Sequence, residues 1–103
     1  MSNDQKANKP VEIEFFNRTK SIVNVWVEPT CVSIDLDDNT EYKLVTEERF
    51  FRLEFDHNAR LIFYLQYSFG FQLFKRAASA QLDNPNEWIL DFDWSIRIRT
   101  RWW

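Results

Sequence analysis

Along most of this chain, apolar and polar residues alternate one for one. In the segment 11–16, Val11, Ile13 and Phe15 share one parity, and Glu12 and Glu14 the other. A period of two marks a strand with one buried face, because a helix would scatter those positions around its circumference. The same rhythm predicts a strand over 21–28 with Val23, Val25 and Val27 inward and Ile22, Asn24 and Trp26 on the other face. It predicts another over 31–36, with Val32, Ile34 and Leu36 inward, and one over 40–45, with Tyr42 and Leu44 inward. Pro29, which has no N–H to give to a ladder, stops the second strand.

The segment 49–76 is the richest, with half of the aromatic residues. It reads as three strands. The first directs Phe51, Leu53 and Phe55 to the core, and 56–59 turns the chain. The return over 60–67 brings Leu61, Phe63 and Leu65 inward, and Phe71, Leu73 and Phe74 begin the next strand. Gly70, the single glycine, is expected at a bulge or a positive φ. In the other turns, at 17–20 and 37–39, Asn and Asp take the place of glycine because both tolerate left-handed backbone.

Strand starts near 11, 21, 31, 40, 49, 60 and 69 fall at regular intervals without helical stretches between them. That spacing predicts an all-β fold: a single small antiparallel β-sandwich, jelly-roll or Greek-key-like, of about eight strands. The alternative is a closed β-barrel. The polar residues 1–10 are expected to form a disordered leader, and 11–103 the one domain. The segment 76–87 breaks the rhythm: Ala77, Ala78, Ala80 and Gln81 favour a single helical turn in a long connection, ended by Asn84 and Pro85. Alternation then resumes, with Trp88, Leu90, Phe92, Trp94, Ile96 and Ile98 on one parity.

An aromatic content of 17% supplies bulk to fill the space between two sheets. The net charge of −3 gives no global attraction to nucleic acid or anionic membrane. Residues 1–10 lack the apolar core of a signal peptide, and no apolar run reaches the about 18 residues of a membrane span. The expectation is a cytoplasmic protein with no membrane partner.

Catalytic chemistry has little to work with. One histidine and one cysteine are present. His57 falls in a turn, where a solvated side chain is the default, and Cys31 reads as a small, partly buried hydrophobe. Nothing local supports a Cys31–His57 dyad. Asp35, Asp37, Asn39 and Glu41 alternate as cation ligands do, but a calcium loop would need Gly and Glu where Thr40 and Thr46 stand. An acidic hairpin turn accounts for them. A single glycine also rules out a glycine-rich phosphate loop, and the acceptor triplet Asn17-Arg18-Thr19 has meaning only in a secreted chain. No enzyme, metal site or cofactor is expected.

Surfaces are the better candidates. Trp26, Phe50, Tyr64 and Phe74 lie out of phase with their core-facing neighbours. Arg97, Arg99 and Arg101 alternate just before Trp102 and Trp103. Together these nine residues form the candidate interaction surface, since Trp, Tyr and Arg anchor protein interfaces. Arginine beside aromatic residues also grips phosphates and stacks bases, but the acidic remainder of the chain argues against nucleic acid. Antiparallel pairing of two copies about Ile96 would set Asp91 against Arg101 and Asp93 against Arg99, so a second copy is one candidate partner. A hairpin near Trp94 and Ser95 would pair the same charges within one chain. The function expected is a non-catalytic interaction or accessory module of inhibitor or immunity type. The alternative is a β domain that binds a small molecule or a carbohydrate.

Overall fold

In the computed structural model, which describes residues 10–47, 49–58, 60–65 and 70–94, eight strands form. They are β1 (Val11–Asn17), β2 (Val23–Glu28), β3 (Val32–Leu36), β4 (Thr40–Thr46), β5 (Phe51–Phe55), β6 (Leu61–Leu65), β7 (Gln72–Ala77) and β8 (Ile89–Asp93). A first sheet has the order β1-β4-β7-β8 and a second β3-β2-β6-β5. The architecture is the expected all-β sandwich. Two separate sheets with open edges replace the closed barrel held as its alternative. No helix occurs among the described residues, and Asn84 N–H to Gln81 O at 3.3 Å makes a simple turn in the long connection.

Each connection reverses the chain, so neighbours an odd number of strands apart are antiparallel. Five of the six pairings are of this kind, and β2 and β6, an even four strands apart, accordingly pair in parallel, Val25 opposite Leu61 and Val27 opposite Phe63. The second sheet is therefore mixed rather than wholly antiparallel. It joins two local hairpins, β2–β3 and β5–β6, through their long edges.

Alternation placed most of the core. Val25, Val27, Ile34, Leu36, Tyr42, Leu44, Phe63, Leu65, Phe71 and Leu73 are buried, with Ile13, Phe15, Val23, Val32, Leu61, Phe92 and Trp94 packed against them. Phe15 bridges the sheets, its ring 5.8 Å from Tyr42 and 5.2 Å from Phe63. Two segments depart from the pattern. Phe51, Leu53 and Phe55 share the inward face of β6, yet they are 39, 48 and 72% exposed and none joins the core. β5 is the outermost strand of its sheet, beyond the ladder partners that carry the core. In β8, a bulge opposite Leu73 and Phe74 leaves Asp91 between the paired residues Leu90 and Phe92. One extra residue flips a strand's parity. Phe92 therefore faces the core with Leu73, while Leu90 lies outside with Phe74.

Polar groups fasten the ends. Asn17, expected in a turn, is the last residue of β1 and is buried. Its Nδ2 donates to the backbone oxygens of Ser21, Leu36 and Asp37 at 3.0, 3.1 and 3.0 Å. Its Oδ1 accepts from the Thr19 N–H and hydroxyl. The Asp37 N–H donates to Tyr42 Oη at 2.7 Å, and the Thr46 hydroxyl donates to Gly70 O at 2.7 Å. Gly70 has φ 94° and Asn39 φ 49°, as their residue types suggested.

Cys31 has φ 61° and is exposed, not the partly buried hydrophobe expected of a cysteine. A left-handed conformation strains any residue with a Cβ. Cys31→Gly is expected to raise stability by about 0.5–1 kcal/mol in urea denaturation, the released strain outweighing the added chain entropy. A lower midpoint would show that the thiol's contact to Glu28 matters more than the strain.

Candidate interaction surface

The chemistry considered in the sequence does not assemble. β2 and β6 run parallel, Cys31 follows the end of the first, and His57 precedes the start of the second. They therefore lie at opposite ends of the sheet, separated by about 16 Å of strand. The Cys31 thiol donates to Glu28 Oε1 at 3.5 Å, and this hydrogen bond, with the carboxylate's charge, pushes its pKa up, away from an activated thiolate. No cluster of His, Cys, Asp and Glu suited to a metal occurs among the described residues.

The outer face of the second sheet is built differently. Strand parity turns Asn24 and Trp26 of β2 outward beside Ile62 and Tyr64 of β6, and Arg52 and Glu54 of β5 complete the row. Trp26 stands directly opposite Ile62, and Tyr64 opposite Arg52. Each aromatic carries a guanidinium: Arg60 lies 4.9 Å from the Trp26 ring centroid and Arg52 5.6 Å from that of Tyr64. Such stacking is worth about 0.5–1 kcal/mol at an exposed site. Trp26 is half-buried, and its Nε1 is buried without a hydrogen-bond partner among the described residues.

Asp56 holds Arg60 in place. It accepts from the Asn58 and Arg60 backbone N–H groups at 2.9 and 3.0 Å, and from Arg60 Nε and Nη2 at 3.1 and 2.8 Å. The Arg60 N–H holds the Asp56 carboxyl below the usual carboxylate range; burial, the next largest influence, opposes it, and the Asn58 N–H and the guanidinium add to the lowering. The turn at 56–60 is thus a preformed mount for a cation over an indole. Neither arginine stood out in the sequence, because a cation four residues after an aspartate in a turn has no distinctive period.

The remaining candidates are divided. Phe50, 63% exposed, immediately precedes β5 at the edge of the second sheet. Phe74 belongs to the other side of the molecule, on the outer face of the first sheet between Lys43 and Leu90. That face is occupied by its own contacts. Lys43 Nζ lies 5.6 Å from the Phe74 ring and 5.0 Å from that of Trp88, Arg76 lies 4.0 Å from the Trp88 ring, and Glu12 and Glu41 pair with the two cations. An open recess of about 620 Å³ beside Trp88 is lined by Ala77 and residues 85–89. Arg76 already covers a face of the indole that a sugar ring would need. Arg97, Arg99, Arg101, Trp102, Trp103 and the pairing about Ile96 lie outside the described residues. The chain matches no protein-family model, no curated protein and no solved structure.

Proposed function

We propose that this protein is a non-catalytic interaction module that docks a protein partner on the outer face of its second sheet. The observation that carries this reading is the side-by-side placement of Trp26 under Arg60 and Tyr64 under Arg52 on one open sheet face. Trp, Tyr and Arg are the residues in which interface binding energy concentrates, and rigid aromatics lose little entropy on docking. A partner carbonyl that shifts Arg60 and accepts from Trp26 Nε1 would add a hydrogen bond on docking. An inhibitor, immunity-type protein or assembly accessory needs no more than such a face on a stable sandwich.

The test is capture from extract of the native cell, followed by titration of the recovered partner. Wild-type protein is expected to retain one stoichiometric protein, and Trp26→Ala with Tyr64→Ala to weaken it by about 30-fold or more. Circular dichroism confirms that the variant is folded. Equal affinity for both forms would end this reading.

A further inference from the structure

We infer that two copies of this chain associate through β5, antiparallel and edge to edge, with Leu53 on the two-fold axis. β5 is an edge strand whose only ladder partner among the described residues is β6. The Asp56 N–H donates to Arg60 O in register with that ladder, so by alternation the backbone groups of Arg52 and Glu54 face β6. Those of Phe51, Leu53 and Phe55 face the open edge. An open edge is a template for another strand unless something blunts it.

Here the side chains favour the pairing instead of blocking it. About Leu53, Phe51 meets Phe55 of the second copy, Leu53 meets Leu53, and Arg52 meets Glu54. Each of the three facing pairs along the open edge can exchange both backbone hydrogen bonds. The Arg52–Glu54 pair, which forms within one copy, has an equivalent geometry across the ladder, made twice by the symmetry. The apolar residues left uncovered on β5 are the ones that meet: at 39, 48 and 72% exposure they present about 300 Å² per copy, taking 150–250 Å² for a free aromatic.

The other edges do not share this property. Self-pairing of β1 about Ile13 or Glu14 sets glutamate against glutamate, β8 sets Asp91 against itself, and β3 offers Ser33 against Asp35 with Ile34 and Leu36 already buried. Of the four edges formed by the described strands, β5 alone combines charge complementarity with open apolar surface. The joint buries at most about 600 Å² of apolar side chain, less than a standard specific interface, so the dimer is a weak, transient one. This interface shares Arg52 with the docking face above, where that side chain lies over Tyr64, but its test reads self-association and leaves Trp26 and Tyr64 in place.

Sedimentation velocity of the full chain from low to high micromolar concentration reads it directly. The wild type is expected to pass from monomer to dimer, and Leu53→Lys, which sets two ammonium groups together on the axis, to stay monomeric. Arg52→Glu and Glu54→Arg should each weaken self-association by about tenfold or more, and an equimolar mixture of the two should form a heterodimer tighter than either alone. The charge variants alter an exposed side chain, Arg52, and a half-exposed one, Glu54, so they report even where Leu53→Lys unfolds. A wild type that is monomeric throughout overturns the inference. So does a dimer indifferent to all three changes, or a mixture that gains nothing.

Discussion

Asn17→Asp is expected to cost about 3–4 kcal/mol, most of the stability a domain of this size can spare. The amide nitrogen serves the carbonyls of Ser21, Leu36 and Asp37 from a site only 5% exposed. Aspartate would present an oxygen to three oxygens. Each lost hydrogen bond is worth about 1 kcal/mol, and the buried, mismatched charge adds to that loss. Thermal unfolding should move down by about 12–30 °C. The pH dependence separates this cause from simple loss of contacts. A carboxylate facing acceptors binds its proton more tightly in the folded state, so the variant's deficit shrinks as pH falls through the folded-state titration and a single donor returns. Asn17→Ala should lose about 2–3 kcal/mol with no such recovery. An aspartate variant within 1 kcal/mol of wild type by urea titration would refute the account.

The second large effect belongs to Phe63. It is 1% exposed, packs 5.2 Å from the Phe15 ring, and sits between Val27 and Leu53 in the ladder of the second sheet. Phe63→Ala should cost about 3–5 kcal/mol, through lost transfer energy and the cavity left between the sheets. Leu53→Ala, the facing residue on the adjacent strand, should cost no more than about 1 kcal/mol in the monomer, because half of that side chain is already in water. Comparable losses at the two positions would mean that the inward side of β5 is covered after all.

That contrast marks how far the sequence can be read. Alternation states which residues share a face of a strand, and for Val25, Ile34, Tyr42 and Phe63 the shared face is also covered. For Phe51, Leu53 and Phe55 the period is just as regular, but coverage depends on where β5 falls in the sheet order, and no local pattern encodes that. The run from Trp88 to Trp94 failed in another way. A single unpaired residue at Asp91 divides it between two faces, and the bulge arises from pairing with β7. Asn17 looked like a turn former because its side chain is small and polar, and its actual partners lie up to 20 residues away. On the candidate surface, phase alone put Trp26 and Tyr64 on the outside. It could not say that Phe74 occupies the other sheet, or that arginines from β5 and a turn would come to rest on both rings.

The parallel joint between β2 and β6 has a consequence for the time course of folding. Each hairpin needs only its own turn to close, but Val25 must find Leu61 across 35 intervening positions, and the intervening chain contributes β4 to the other sheet on the way. Loop-closure entropy for such a contact is lost before its packing energy is gained. The two hairpins are therefore the early, fast-forming units, and their docking is the slow step. Until it occurs, the seam edges of β2 and β6 stand open, along with the faces that will become the core. The described strands leave four edges in the native sandwich, whereas the assembling chain has more, and crowding at that stage favours pairing with the wrong neighbour.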